Sequence, residues 1–156
     1  MKEITGDLIK LALKGEFDVI IHGCNCFNTM GKGIAKQIKE VFPDAFYMDQ
    51  RTKKGDKSKL GTFTYVSAMT KHKHFITIVN AYTQYDYNLK TGNKLKVDYN
   101  ALRKVFKEIK TKFKGKRIGY PLIGAGLAGG DWNIISKIID EKLQGEDHTL
   151  VKYTND

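Results

Sequence analysis

Phe17-Asp-Val-Ile-Ile-His-Gly-Cys-Asn-Cys-Phe-Asn-Thr-Met-Gly-Lys-Gly-Ile-Ala35 is the stretch that decides the fold. It opens with a short apolar run closed by Gly23, the pattern of a strand buried on both faces. Beyond Gly33 the period changes. Ile34, Ala35, Ile38, Val41 and Phe42 form a helical stripe that Pro43 stops. The unit is therefore strand, glycine loop, helix.

The same grammar returns near the C-terminus. Lys116-Arg-Ile-Gly-Tyr-Pro-Leu-Ile123 reads as a strand and Gly124-Ala-Gly-Leu-Ala-Gly-Gly130 as a second glycine loop. Asp131 then caps a helix carrying Ile134, Ile135, Ile138, Ile139 and Leu143. Between the two units, residues 61–68 and 73–82 have the β-branched and aromatic blocks of a strand pair, joined by the polar turn 69–72. Asp98 precedes a helix with Tyr99, Leu102, Val105, Phe106, Ile109 and Phe113 on one stripe. Residues 1–5 and 148–154 have strand composition. Strands interleaved with helices predict a mixed sheet covered on both faces, with ligands outside the carboxyl ends of its strands.

Composition narrows the function classes. No linker, repeat or composition shift divides the 156 residues, so one domain spanning 1–156 is expected. With 41% hydrophobic residues the chain can build a core without disulfides. Its two cysteines, Cys24 and Cys26, lack the second Cys/His pair of a zinc site, so no metal or cofactor is expected and both read as thiols of a cytoplasm-like compartment. No apolar run approaches the roughly 18 residues that span a bilayer. The net charge of +10 is concentrated in Arg51, Lys53, Lys54, Lys57 and Lys59 and in the run from Arg103 to Arg117. These clusters read as solvated faces, or as surfaces that raise encounter rates with anions.

Each glycine loop leaves a strand and enters a helix, where backbone N–H groups can receive phosphate oxygens. Neither matches the P-loop or the dinucleotide fingerprint, which weakens ATPase and nicotinamide readings. Together the loops suit a diphosphate. Tight turns alone would also explain the glycines.

Three blocks carry a resemblance: Gly6-Asp7-Leu8-Ile9, the stretch from Ile21 to Ala35, and Pro121 through Trp132. In order and spacing they resemble the signature blocks of macro domains, nearest to the branch of ADP-ribose 1″-phosphate phosphatases and terminal ADP-ribose glycohydrolases. The resemblance implies a three-layer α/β/α fold with a central mixed sheet of about six strands. It also implies ADP-ribose, or ADP-ribose 1″-phosphate, as ligand, with an ADP-ribosylated macromolecule as a further partner; a monomer is expected, and, from the lack of a spanning run, no membrane partner. One wall of the implied site is Asp7, Leu8, Asn25, Met30, Gly31, Lys32, Gly33 and Ile34. The other is Ile123, Gly124, Ala125, Gly126, Leu127, Ala128 and Gly129. Asp7 would meet the adenine amine, Asn25 the distal ribose and the second loop the diphosphate, roles that match what a carboxylate, an amide and backbone N–H groups can donate or accept. Helix-cap and turn roles compete for Asp7 and Asn25.

For catalysis, His22 resembles a histidine of the yeast-type phosphatases in this branch. Its imidazole could activate water or itself attack the 1″-phosphate, with Asn25 holding the substrate; a structural, hydrogen-bonded histidine is the competing reading. Asp131 is a further candidate acid, against its helix-cap role. Where glycohydrolases of the branch carry a lysine and a loop acid, this chain has Gln84 and Ala128, so the resemblance leans toward phosphatase chemistry. Three readings result: ADP-ribose 1″-phosphate hydrolase or a related ADP-ribosyl hydrolase, non-catalytic ADP-ribose binder, and basic nucleic-acid binder. The last lacks an RNP-like, helix-turn-helix or zinc pattern and ranks third.

Overall fold

The computed structural model describes residues 1–86 and 95–154. In chain order they form β1 (Lys2–Gly6), α1 (Leu8–Leu13), β2 (Val19–Cys24), α2 (Gly33–Val41) and α3 (Pro43–Gln50). A 3-10 turn (Lys57–Lys59) precedes the hairpin of β3 (Phe63–Met69) and β4 (Phe75–Tyr82). Then come α4 (Tyr99–Lys112), β5 (Ile118–Tyr120), α5 (Trp132–Lys142) and β6 (His148–Tyr153).

The six strands make one sheet in the order β1-β6-β5-β2-β4-β3. β3 runs antiparallel to β4, and every other neighbouring pair is parallel. The expected mixed sheet of about six strands is therefore observed.

Alternation along β2 explains the three layers. Val19 and Ile21 face α4 and α5, joining Val79, Ile118, Leu150, Leu102, Phe106, Ile135 and Ile139 in one core. Ile20 faces the other way, joining Ile78, Val151, Ile9, Ala12, Ile38 and Ala45 beneath α1, α2 and α3. A strand apolar on both faces requires cover on both, and the helices supply it.

Local chemistry fixes the helix starts. Asp7, Asp98 and Asp131 are the N-caps of α1, α4 and α5, their carboxylates accepting from the backbone N–H of Lys10, Ala101 and Asn133. Two elements depart from the sequence reading. Pro43 does end α2, but it also occupies the first turn of α3, where its missing N–H costs nothing. The strand expected over 116–123 is hydrogen-bonded as β5 only from Ile118 to Tyr120, because Pro121 cannot donate to a ladder.

Phe106 of α4 is fully buried and meets Tyr120 of β5 edge-on at 6.3 Å between ring centroids. Phe106→Ala is expected to lower the unfolding free energy by about 3–5 kcal/mol. Urea denaturation followed by circular dichroism measures this; a loss below about 1 kcal/mol would contradict the described packing.

Candidate functional site

The parallel strands deliver their carboxyl ends to one edge, and a cleft of about 580 Å³ opens there. Gly23, Cys24, Asn25, Thr29, Gly31, Lys32, Gly33, Ile34 and Ala35 line one side. Pro121, Leu122, Ile123, Gly124, Gly126, Leu127 and Ala128 line the other, with Gln84, Lys96, Val151 and Tyr153 completing the wall. The volume suits a nucleotide-sized molecule. Among the described lining residues two are lysines and none is an acid, which favours an anionic occupant.

Among the described residues, unpaired backbone donors belong to lining residues on both sides of this space. α2 begins at Gly33 behind Lys32, whose side chain makes no cap bond, so the first-turn N–H groups of Gly33, Ile34 and Ala35 have no intrahelical acceptor. In the second loop Gly130 N–H donates to Gly124 O at 2.7 Å and Gly129 N–H to Gly126 O at 3.1 Å. The N–H groups of Gly126, Leu127 and Ala128 find no hydrogen-bond acceptor among the described residues. The loop must close tightly to expose them. A Cβ on Gly130 would lie 2.6 Å from Gly124 O, and one on Gly124, at φ +75°, 2.6 Å from Val97.

Loop one is held from beneath. The Asn25 carboxamide accepts from Phe27 N–H at 2.8 Å and donates to Thr29 Oγ1 at 2.6 Å. Asn28, at φ +60°, donates to Thr52 O at 2.8 Å and accepts from Lys59 Nζ at 2.6 Å. Lys59 also donates to Cys26 O at 3.1 Å and stands 4.9 Å over the Tyr82 ring. Tyr82 Oη donates to Asp49 at 2.7 Å. Asp49 is 1% exposed and Lys59 7%. Burial raises the Asp49 carboxyl, while its Tyr82 bond and the Lys59 charge oppose that shift. Sequence placed Lys59 in a solvated cluster; four of the five cations there are exposed, and Lys59 is turned inward.

The proposed catalytic groups are placed differently from expectation. His22 is fully buried, on the α3 side of β2, with Nε2 2.6 Å from Asn80 Oδ1. Asn80 in turn donates to Ala45 O and Thr64 Oγ1. Desolvation pulls the His22 pKa down to about 4 against the opposing Asn80 bond. Its ring is not among the described lining residues of the cleft, and burial with the Asn80 bond gives it a structural role joining β2 to β4. Asp131 likewise lies outside the lining, its Oδ1 accepting from Asn133 N–H at 2.8 Å as the α5 cap. Asn25 does line the cleft, but its amide is engaged in shaping loop one.

Among the expected binding residues, Asp7, Leu8, Met30, Ala125 and Gly129 are not in the lining. Met30 is 3% exposed, packed with Cys24, Cys26 and Tyr82. Asp7 follows Gly6, whose β-ladder partner is Tyr153, so it sits beside the cleft's outer end. Lys96, Leu122, Val151 and Tyr153 were missed by the sequence reading; only the fold brings them to this edge. Cys24 and Cys26 are free and buried, and burial raises both thiols, which leaves them poor nucleophiles. At the cleft floor a Cβ on Gly23 would lie 2.8 Å from Thr83 Oγ1, a buried hydroxyl with no hydrogen-bond partner among the described residues.

Comparison with known proteins agrees with this architecture. The family model "Macro domain" matches residues 21–139. An uncharacterized 17.5 kDa protein in the tk-vs intergenic region of Enterobacteria phage T4 is 36% identical over 146 residues, covering 90% of this chain and 88% of that protein. The macrodomain of Mycobacterium tuberculosis DarG superposes with a TM-score of 0.73 at 19% identity, over 99% of this chain and 97% of that one. Thermosipho africanus DarTG, in complex with ADP-ribose, gives 0.72 at 17% identity, over 90% of this chain and 39% of that one. At these identities the solved structures speak for the fold.

The placement of His22 makes a pH prediction. Its folded pKa lies below the unfolded value of 6.5, so its contribution to stability is full above pH 6.5 and is lost as pH falls toward 4. The loss amounts to about 3 kcal/mol. In an NMR titration the His22 ring should show no inflection between about pH 8 and 5. An inflection near 6.5 would place the ring in water.

Proposed function

The chain belongs to the macro-domain family, and on that premise we propose that the cleft binds ADP-ribose. The observation that carries the reading is the pair of opposed donor sets: the α2 N-terminus behind Lys32 and the N–H groups of Gly126, Leu127 and Ala128, which have no acceptor among the described residues. Helix N-termini and glycine-loop amides both stabilise phosphate oxygens. A diphosphate spans the two walls, with Lys32 and Lys96 contributing positive charge from opposite sides. The adenosine end then lies toward Val151 and Tyr153. Asp7 follows Gly6, the ladder partner of Tyr153, and caps α1 through Oδ1; its second carboxylate oxygen is the candidate acceptor for the adenine amine. The distal ribose lies against Asn25, Thr29 and Gly31.

Retention of ADP-ribose, free or attached to a macromolecule, is the activity this geometry supports best. His22 is buried beneath α3 and Asp131 caps α5, and neither is among the described lining residues, which favours retention over acid–base catalysis. A second reading is hydrolysis of ADP-ribose 1″-phosphate, favoured by two lysines and no acid among the described lining residues, which suit a phosphomonoester. In that reaction water attacks phosphorus, the bond from phosphorus to the 1″ oxygen breaks, and the leaving 1″ oxygen takes up a proton from the attacking water. Lys32 and loop amides stabilise the charge on the transferred phosphoryl group.

Calorimetric titration with ADP-ribose should show one site per chain. Gly31 is exposed, and a Cβ there meets nothing within 4 Å, so Gly31→Glu should fold while placing a carboxylate in the cleft. Its affinity should fall by about 100-fold, the scale of like-charge juxtaposition. Undiminished affinity would move the ligand elsewhere. Inorganic phosphate released from ADP-ribose 1″-phosphate decides between retention and hydrolysis.

A further inference from the structure

We propose that the loop over residues 51–57 is a docking site for the phosphate backbone of a nucleic acid, separate from the ligand cleft. Arg51, Lys53, Lys54 and Lys57 are all exposed within these seven residues. The single carboxylate among them, Asp56, accepts from Ser58 N–H at 2.9 Å and Ser58 Oγ at 2.7 Å, and these bonds hold it below its ordinary pKa. Its charge faces its own 3-10 turn.

The loop is fixed from behind. Gly55 N–H donates to Cys26 O at 2.7 Å, Asn28 Nδ2 to Thr52 O at 2.8 Å, and Tyr85 Oη to Gly55 O at 2.9 Å. Tyr85 also packs edge-on against Phe27, and Lys57 Nζ lies 5.2 Å over the Tyr85 ring. Surface lysines ordinarily lose backbone and side-chain freedom when they bind; here the backbone share is already spent in folding. Four exposed cations on a rigid loop, one of them resting over the Tyr85 ring, suit a chain with one charge per repeat. The loop offers no apolar side chain to insert into a membrane. The longer basic run on α4 is less suited, since Glu108 interrupts it and Lys110 bonds to Gln144 O.

The test uses the full chain and fluorescence anisotropy with a labelled single-stranded DNA of about 20 nucleotides, over about 50 to 200 mM salt. Variant R51Q/K53Q/K54Q/K57Q is compared with a control on α4 and just past its end, R103Q/K107Q/K114Q (the α4 control), with circular dichroism checking the fold of both. The loop variant should lose about tenfold or more in affinity, with the slope of log K against log salt shallower by about 2 to 3. The α4 control should stay within about threefold of wild type. Calorimetric ADP-ribose titration should be the same for all three proteins, so a failure of the cleft reading would appear separately. The proposal is overturned if the loop variant binds DNA as wild type does or if the α4 control loses as much. It is also overturned if vesicles of equal parts phosphatidylserine and phosphatidylcholine displace the DNA through the same four residues.

Discussion

Parallel hydrogen-bond ladders joining β1, β6, β5, β2 and β4 oblige five chain segments to leave the sheet at one edge. Each parallel strand needs a crossover, so its exit continues as a loop that enters a helix or crosses the sheet. At that edge the chain has neither ladder partners nor helical acceptors for its N–H groups. Where such groups are pooled beside lysines, an anion replaces water at small cost. The cleft is thus a consequence of topology, and the glycines decide how closely the backbone approaches what fills it.

Loop one shows how the fold keeps that edge in shape. A buried lysine is costly unless its charge is met, and Lys59 has the Cys26 carbonyl, Asn28 Oδ1 and the Tyr82 ring for that purpose. Asp49 lies in the same interior through Tyr82. Removing one member of such a set leaves the others uncompensated, at a cost on the order of 3–5 kcal/mol. That coupling ties loop one to α3 and to the 3-10 turn, while separate bonds to Cys26 O, Asn28 and Tyr85 fix the outer basic loop. A second polar set, His22 with Asn80, does similar work deeper down, joining β2 to β4 and to the end of α3 that carries Ala45.

Much of this was legible in the sequence because it is local. The two strand-loop-helix units, the hairpin, and the caps Asp7, Asp98 and Asp131 each depend on residues a few positions apart. α3 escaped because Pro43 is as good a helix starter as a stopper and because residues 43–50 carry no apolar stripe. The fates of His22 and Lys59 could not be read for a different reason. A side chain's charge is written in the sequence, but its partners are not: Asn80 stands 58 residues from His22, and Cys26 lies 33 from Lys59. The same distance hid Lys96 and Tyr153 from the expected lining, whereas Asn25 lines the cleft and also shapes its own loop through partners two and four residues away.

The central claim is that opposed backbone donors on the two loops receive the ligand's phosphates. The most direct measurement follows the amide resonances of ¹⁵N-labelled protein during addition of ADP-ribose. The account predicts that the largest shifts fall on Gly33, Ile34 and Ala35 and on Gly126, Leu127 and Ala128 together, saturating at one equivalent. Shifts confined to one loop, or centred on residues 51–57 while these six amides stay unmoved, would contradict it.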